Sequence, residues 1–367
     1  MTKADTTSTS SDHDNFILTK IEGRTARVII NRPKALNALN MDMCAEINDN
    51  LIAWSADETV DRVLITATEG RAFCAGGDVR SIIPLIKEDP RAADAYFKVE
   101  YTLDSLINAF PKPVIVIADG LTMGGGCGVL LNASHPVITE KMDFAMPETA
   151  IGLFPDVGAS LFLRQPPHHI GVMMGMTGWR IGAGDMLAMG LAKHAVNAEN
   201  VTSLIDQIIT LESNDGLDDL LGSAQMDIQP TPLMDEGAWI ESHFKYATPQ
   251  AIRDSLEGDS HPLADKIRHA LDTRSPYSIV ITHRLLTDDD LKPKDILDAL
   301  RLDYVMACRI GRYPDFSEGV RAVLIDKDNN PIWQHDRLDA VEEDLIKAVF
   351  TMENRPELGY PQDQMNS

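Results

Sequence analysis

The chain has few cysteines, few aromatic residues and no long apolar run. Its 367 residues include four cysteines, none of them in a CxxC pair, and 6% aromatic residues. Isolated thiols in so long a chain predict neither a disulfide framework nor a zinc site, and they fit a reducing cytoplasm. No apolar stretch approaches the roughly 18 residues needed to cross a bilayer, so we expect no membrane association.

Positive charge is also scarce, because 33 Lys and Arg residues face 56 Asp and Glu residues and leave a net charge of −23. Such a field repels phosphate backbones, so we expect no nucleic-acid partner. The sequence contains no P-loop and no dinucleotide-binding glycine pattern, which argues against nucleotide hydrolysis and NAD binding. The 44% hydrophobic and 24% charged residues are typical of a globular protein.

The organisation of the chain follows from its patterning. Residues 1–14 are polar and lack the apolar segment of a signal peptide, so we expect a disordered tail and a cytoplasmic protein. Strand and helix patterns alternate over 15–229 and predict an α/β core. Helical patterns dominate 230–352, and 353–367 has no periodic apolar face, which predicts a loose tail.

Short β-branched runs mark the strands of the predicted core. The runs 25–30 and 62–68 flank a segment with apolar residues at helical spacing, and Asn40 is placed to cap that helix. A helical stretch over about 92–108 precedes a third buried strand at 113–119. This alternation predicts a parallel sheet covered by helices.

Two glycine clusters each follow a predicted strand and are expected to open a helix. They are CAGGD (74–78) and MGGGCG (123–128). Helix N-termini present unpaired N–H groups and a positive dipole end, so two such turns together predict an oxyanion hole. Ordinary tight turns are the competing interpretation, because glycine commonly marks turns.

A pair of carboxylates, Glu148 and Asp156, lies in an apolar segment of the sequence. Partial desolvation would raise the pKa of Glu148 and suit it to act as a base or a nucleophile. The alternative is a structural one. Glu148 follows a proline and could simply occupy a first helical turn, where the helix dipole favours acids.

Four blocks in this order resemble the crotonase, or enoyl-CoA hydratase/isomerase, superfamily. They are NRPKALNAL (31–39), AFCAGGD (72–78), KPVIVIADGLTMGGGCG (112–128) and FAMPETAIGLFPDVG (144–158). EYTL (100–103) and DFSEGVRAVLIDKD (315–328) resemble the branch that hydrolyses 3-hydroxyisobutyryl-CoA in valine degradation. The resemblance spans about 16–350 and implies a spiral of ββα turns with an α-helical C-terminal region covering an acyl pocket.

The resemblance also implies roles for individual residues. Gly77 and Gly125 match the backbone N–H donors of the oxyanion hole. Glu148 matches the catalytic carboxylate, Asp156 a second acid of the hydrolases, and Glu100 a further substrate-contacting acid. The positions that match the CoA-binding segments are Lys34, Ala35, Leu36, Ala75 and Gly76.

One departure from the family pattern concerns the reaction. The hydratases carry a second glutamate directly after the GGGC segment, and this chain has Gly128 there. Hydration needs groups that activate water and protonate the α-carbon, so the missing carboxylate should weaken it severely. Thioester hydrolysis does not need that group. Glu148 would either attack the carbonyl to give an anhydride or activate a water.

The expected ligand is an acyl-CoA, with no metal and no cofactor beyond the CoA that enters with the substrate. Candidate cations for its phosphates are Arg32, Lys34, Arg321 and Lys327, and solvated surface charges are the alternative for each. A hydratase or isomerase and a non-catalytic acyl-CoA-binding protein are the competing functions. A homo-oligomer is compatible with the sequence.

Overall fold

The computed structural model describes residues 15–228 and 233–351, together with Leu358. The predicted disordered tail, the predicted boundary at 229/230 and nearly all of the predicted loose tail lie outside these residues. No helix in the described ranges is both long and apolar enough to cross a membrane.

Within the described residues, ten strands form two sheets. The strands β1 to β10 are, in chain order, Ile17–Glu22, Thr25–Ile30, Arg62–Ala67, Ala72–Cys74, Val114–Ala118, Leu121–Met123, His135–Thr139, Asp143–Ala145, Ile181–Gly182 and His194–Val196. The six-stranded sheet has the order β1-β2-β3-β5-β7-β10, and the four-stranded sheet has the order β4-β6-β8-β9. All pairs are parallel except β1 with β2 and β8 with β9.

The chain alternates between the two sheets as it advances. Three successive strand pairs, β3 with β4, β5 with β6, and β7 with β8, each place their first strand in the large sheet and their second in the small one. Helices follow each pair. The predicted spiral of ββα turns is therefore confirmed, and the glycine segments lie where the chain leaves the small sheet.

Of the helices in the described part of the chain, nine lie between the strands or directly after them. The helices α1 to α9 are Met41–Ser55, Ile83–Glu88, Ala92–Ala109, Gly125–Leu131, Ala159–Phe162, Ile170–Thr177, Ala183–Ala188, Val201–Thr210 and Leu217–Ser223. Asn40 caps α1 as predicted, since its side chain accepts a hydrogen bond of 2.9 Å from Met43 N.

The expectation that both glycine clusters open a helix is only half right. The second cluster runs directly into α4, which begins at Gly125. The first cluster is followed by a 3-10 turn, Val79–Ser81, and α2 begins only at Ile83. Its backbone donors therefore belong to a loop rather than to an α-helix N-terminus.

The C-terminal region is helical, as predicted. The helices α10 to α16 are Gly237–Phe244, Pro249–Ser255, Ala264–Thr273, Pro276–Thr287, Ile296–Ile310, Pro314–Val320 and Glu343–Phe350. A π-helical turn, Arg321–Ile325, continues from α15. In the described ranges no strand occurs after β10.

The two faces of the large sheet are covered differently. One face packs on α8 and α9 through a small cluster that includes Leu64, Ile115 and Leu204. The other face belongs to the main core, which is continuous from Ile17 to the C-terminal helices. The C-terminal helices share this main core with the sheet strands. One of them, α14, packs directly on α3.

Candidate active site

A cavity of about 320 Å³ lies where the loops after β4, β6 and β8 meet the C-terminal region. It brings together eight of the ten residues to which the family resemblance gives a role: Leu36, Ala75, Gly76, Gly77, Glu100, Gly125, Glu148 and Asp156. The other two, Lys34 and Ala35, belong to the 3-10 turn just before Leu36 and are not part of its lining.

The two glycine loops adjoin because β4 and β6 are parallel neighbours in the small sheet. A Cβ atom at Gly125 would lie 3.4 Å from Gly77 N, so the two glycine loops are in close contact. Neither N–H donates a hydrogen bond to another of the described residues. An oxyanion hole needs neighbouring backbone donors of this kind, which makes these two N–H groups the candidates for it.

Side chains would not fit at these two positions. A Cβ at Gly77 would lie 2.2 Å from Tyr96 Oη, and a Cβ at Gly125 would lie 2.2 Å from Glu100 Oε1. Real Cβ atoms do not approach other heavy atoms so closely. Glycine is therefore required here because the backbone itself must approach its neighbours.

Glu148 is the first residue of a 3-10 turn, Glu148–Ile151, that follows β8. Its side chain is buried, and a Cβ at Gly124 would lie 2.9 Å from Oε1. Its other oxygen, Oε2, is buried without a hydrogen-bond partner in the described ranges. Burial first, and then the negative charge of Asp156, raises the pKa of Glu148 well above its usual range, while Arg274 opposes this shift.

Asp156 is buried in the turn before α5 and accepts a 2.6 Å hydrogen bond from the hydroxyl of Tyr101. Burial raises the pKa of Asp156 to about 6, although the bond from Tyr101 acts in the opposite direction. Glu100 is buried on α3, and both burial and the charge of Asp156 raise its pKa.

The cavity lining carries three carboxyl groups and no Lys, Arg or His. Like charges in a desolvated space disfavour simultaneous ionisation, so these acids titrate as a coupled set. At least one of them is expected to hold a proton near neutral pH and to serve as a hydrogen-bond donor. Among the described residues, no group of three or more His, Cys, Asp or Glu is arranged to hold a metal ion.

Several residues of the site were not predicted from the sequence. Tyr101 follows Glu100 on α3. Phe97 lies one helical turn before Glu100, so helical spacing could have identified Phe97. Val323 and Leu324 line the cavity from the π-helical turn. They belong to the block 315–328 that carries the family resemblance, but nothing local shows that it folds back on the cavity.

The structure gives a physical reason for the glycine at position 128. A Cβ there would lie 2.6 Å from Asp104 Oδ1 and 2.8 Å from Val157 Cβ. Asp104 is fully buried on α3. The space that a second glutamate would need is therefore filled, and the cavity has no carboxylate from this position.

The four candidate phosphate-binding cations differ in their surroundings. Arg32 forms a 2.8 Å ion pair with Asp78 and also donates to Ala38 O. Arg321 is bonded to three carboxylates, those of Glu318, Asp326 and Asp328. Lys34 and Lys327 are exposed and form no ion pair with the described residues. Of these four cations, only the two lysines would thus offer a phosphate a positive charge that no carboxylate already compensates.

Comparison with known proteins places this architecture in a family. The family model for enoyl-CoA hydratase/isomerase matches residues 25–350. The chain belongs to the enoyl-CoA hydratase/isomerase family. The resemblance inferred from the four sequence blocks is therefore confirmed.

Several relatives of this family member carry the same functional name, 3-hydroxyisobutyryl-CoA hydrolase. The Xenopus laevis protein, described as mitochondrial, is 38% identical over 344 residues, which cover 91% of this chain and 88% of that protein. The human mitochondrial protein is 35% identical over 343 residues, with coverages of 91% and 88%. An Arabidopsis thaliana protein is 35% identical over 345 residues and covers 90% of each chain.

Two solved structures share the whole architecture, including the helical C-terminal region. A Rhodobacter sphaeroides protein described as an enoyl-CoA hydratase has a TM-score of 0.84 and 35% identity, over 91% of this chain and 97% of its own. A Mycobacterium thermoresistibile protein described as a carnitinyl-CoA dehydratase has a TM-score of 0.86 and 32% identity, over 94% and 98%. The crotonase-type fold is thereby confirmed.

Proposed function

We propose that this protein hydrolyses 3-hydroxyisobutyryl-CoA to 3-hydroxyisobutyrate and free CoA. The observation that carries the proposal is the cavity itself, which Glu148 lines together with Gly77 and Gly125, while the filled space at position 128 leaves no room for a second carboxylate. The names of the relatives described above support the same substrate and the same reaction.

The N–H groups of Gly77 and Gly125 would bind the thioester oxygen as it becomes an oxyanion. A preorganised donor of this kind contributes about 3 to 4 kcal/mol to transition-state stabilisation. Glu148 either attacks the carbonyl carbon, giving an anhydride that water then cleaves, or deprotonates a water that attacks. In both routes a C–O bond forms, the C–S bond breaks, and the CoA thiolate takes up a proton.

Asp156 and Glu100 supply the polar end of the acyl site. Both are buried near the glycine loops, and the hydroxyl of Tyr101 fixes one oxygen of Asp156. We propose that they bind the 3-hydroxyl of the acyl group or orient the attacking water. A substrate without that hydroxyl would leave buried polar groups unpaired, which makes such a site selective.

The CoA moiety is proposed to leave the cavity past Leu36, Ala75 and Gly76, which line one side of it. Lys34 and Ala35 precede Leu36 in the same 3-10 turn and would face the nucleotide end, where the uncompensated charge of Lys34 suits a phosphate.

CoA is part of the substrate and product, and the proposal includes no other cofactor. A cytoplasmic location and a homo-oligomer both stay predictions.

Hydration of an enoyl-CoA is the second candidate, because the two solved structures described above are named as a hydratase and a dehydratase. The filled space at Gly128 argues against it. A panel of acyl-CoA substrates separates the two reactions when each is scored for free thiol and for the enoyl absorbance. We expect thiol release from 3-hydroxyisobutyryl-CoA and slow or no hydration of crotonyl-CoA. Rapid loss of enoyl absorbance without thiol release would favour the hydratase.

A further inference from the structure

A second cavity, of about 480 Å³, adjoins the acyl cavity. The two cavities share Ala150 and Val323 in their linings, so they adjoin at these residues. The second cavity lies between α12, the segment from Thr177 to Arg180, and the loop that follows the π-helical turn.

The two adjoining cavities have opposite charge. The acyl cavity is lined by three carboxyl groups and no Lys, Arg or His. The second cavity is lined by Arg180, Lys266, His269 and Arg274, with no Asp or Glu. The chain as a whole has a net charge of −23, so a cavity lining that contains cations and no acid differs in sign from the rest of the protein.

One face of α12 builds most of this cationic wall. Lys266, His269, Ala270 and Thr273 recur at helical spacing and all line the cavity. Such spacing places residues on the same side of a helix. Arg274 follows immediately as the C-terminal cap residue, so its side chain extends the same wall toward Ala150 and the acyl cavity.

Arg274 forms no hydrogen bond or ion pair in the described ranges, and its Nε atom is buried and unpaired. Its charge interacts only at longer range, with that of Glu148. Lys266 and His269 are exposed, and their side chains likewise form no bond with the described residues. Arg180, by contrast, is paired with Asp143. A partly desolvated and unpaired guanidinium is costly, and an anion bound there would offset that cost.

The reaction supplies an anion at the right place. Thioester hydrolysis converts an uncharged acyl group into a carboxylate, and this group would form in a cavity that is lined by three carboxyl groups and no cation. Arg274 lines the second cavity beside Ala150, which both cavities share, and its positive charge acts on Glu148 in the acyl cavity. We infer that the second cavity is a binding site for the carboxylate of the released hydroxy acid, which leaves through it while CoA still occupies the other side.

This inference rests on the proposed hydrolase function, but its test needs no turnover. Titration calorimetry with sodium 3-hydroxyisobutyrate and, separately, with CoA would be carried out on the wild-type chain and on four variants. Lys266→Met and Arg274→Met remove a cation from the cavity, and Arg274→Lys keeps its charge. Lys245→Met removes an exposed cation elsewhere and serves as the matched control.

We expect each methionine variant of the cavity to weaken binding of the hydroxy acid at least fivefold and to leave CoA binding nearly unchanged. Arg274→Lys should retain most of the affinity, and Lys245→Met should retain all of it. Because Lys266 is exposed, its variant tests the cavity even if Arg274→Met is poorly folded. Product inhibition by the hydroxy acid should weaken in parallel.

Equal affinity for the hydroxy acid in all variants would overturn the inference. Weaker binding of CoA, with the acid unaffected, would also overturn it and would assign the cavity to the nucleotide phosphates. Failure of the proposed function has a different signature, namely no thiol release from 3-hydroxyisobutyryl-CoA by the wild-type enzyme.

Discussion

At position 128 the side chain is a single hydrogen atom, and the space beyond it is filled by Asp104 and Val157. In the proposed function this detail separates hydrolysis from hydration. Where the resemblance to the hydratases implies a second glutamate, this chain has a different buried acid, Asp104, on α3. We therefore propose that packing at position 128 decides the reaction together with Glu148.

Gly128→Ala tests whether this space is really filled. The added methyl group would meet Asp104 Oδ1 and Val157 Cβ at under 3 Å, so we expect a loss of about 1 to 3 kcal/mol in the free energy of unfolding. Urea unfolding measures it. Gly222→Ala is the control, because nothing lies within 4 Å of a Cβ there and the residue is helical. If both variants have wild-type stability, the space beside Gly128 is open.

Tyr101→Phe tests the electrostatic role of the hydrogen bond to Asp156. The bond favours the ionised carboxylate and so lowers the pKa of Asp156, which burial holds at about 6. Removing the hydroxyl should move the acidic limb of the kcat/KM profile to higher pH. A purely structural role for Tyr101 would lower activity equally at all pH values. A limb that stays in place, or that moves to lower pH, would contradict the assignment.

At the scale of the elements, the sequence predicted what depends on local pattern. The long strands, α1 with its Asn40 cap, and α3 follow from periodicity and capping. The strands of the small sheet, such as Ala72–Cys74, have only two or three residues, too few to show a period. They form because the spiral returns the chain to the same edge at each turn, which is a tertiary effect.

The same distinction holds for the site. The glycine loops and Glu148 could be placed from sequence blocks, because those residues sit directly at the ends of successive strands of one sheet. The contributions of Val323, Leu324 and Arg274 could not, because they depend on how the C-terminal helices pack on the core. No local signal encodes a contact between residues so distant in the chain.

Arg321 offers a test at the scale of the π-helical turn. It joins Glu318, Asp326 and Asp328 and thereby holds both ends of the segment that carries Val323 and Leu324. We expect Arg321→Met to raise KM several-fold for the acyl-CoA and equally for the acyl-pantetheine, which lacks the nucleotide. An increase in KM for the CoA substrate alone would instead show that Arg321 binds the phosphates, as the sequence suggested.

At the scale of the whole molecule, the protein maintains a group of buried acids inside a strongly acidic chain. Burial raises the pKa values of Glu100, Asp104, Glu148, Asp156 and Asp303. Carboxyl groups whose pKa is raised on folding bind protons more tightly in the folded state than in the unfolded state. Stability contributed by these groups is present at low pH and is lost as pH rises past their unfolded pKa values.

Asp104→Asn should therefore flatten the pH dependence of stability. Asparagine keeps the size of the side chain but cannot ionise, so the variant should lose less free energy of unfolding than the wild type between pH 5 and pH 8. Each pH unit of this range in which the folded state keeps a proton that the unfolded state has lost corresponds to roughly 1.4 kcal/mol. Urea unfolding at the two pH values measures it, with the exposed Glu88→Gln as control. Parallel losses in wild type and variant would contradict the assignment.

The central claim is that Glu148 performs thioester hydrolysis in the cavity formed by the two glycine loops. The measurement that tests it most directly is the rate of thiol release from 3-hydroxyisobutyryl-CoA by the wild-type enzyme and by Glu148→Gln. The substitution keeps the shape but removes the attacking or proton-accepting oxygen, so kcat should fall by about 10² to 10⁴ while CoA binding changes little. A variant that keeps more than about a tenth of wild-type turnover, a loss under roughly 1.4 kcal/mol, would contradict the account.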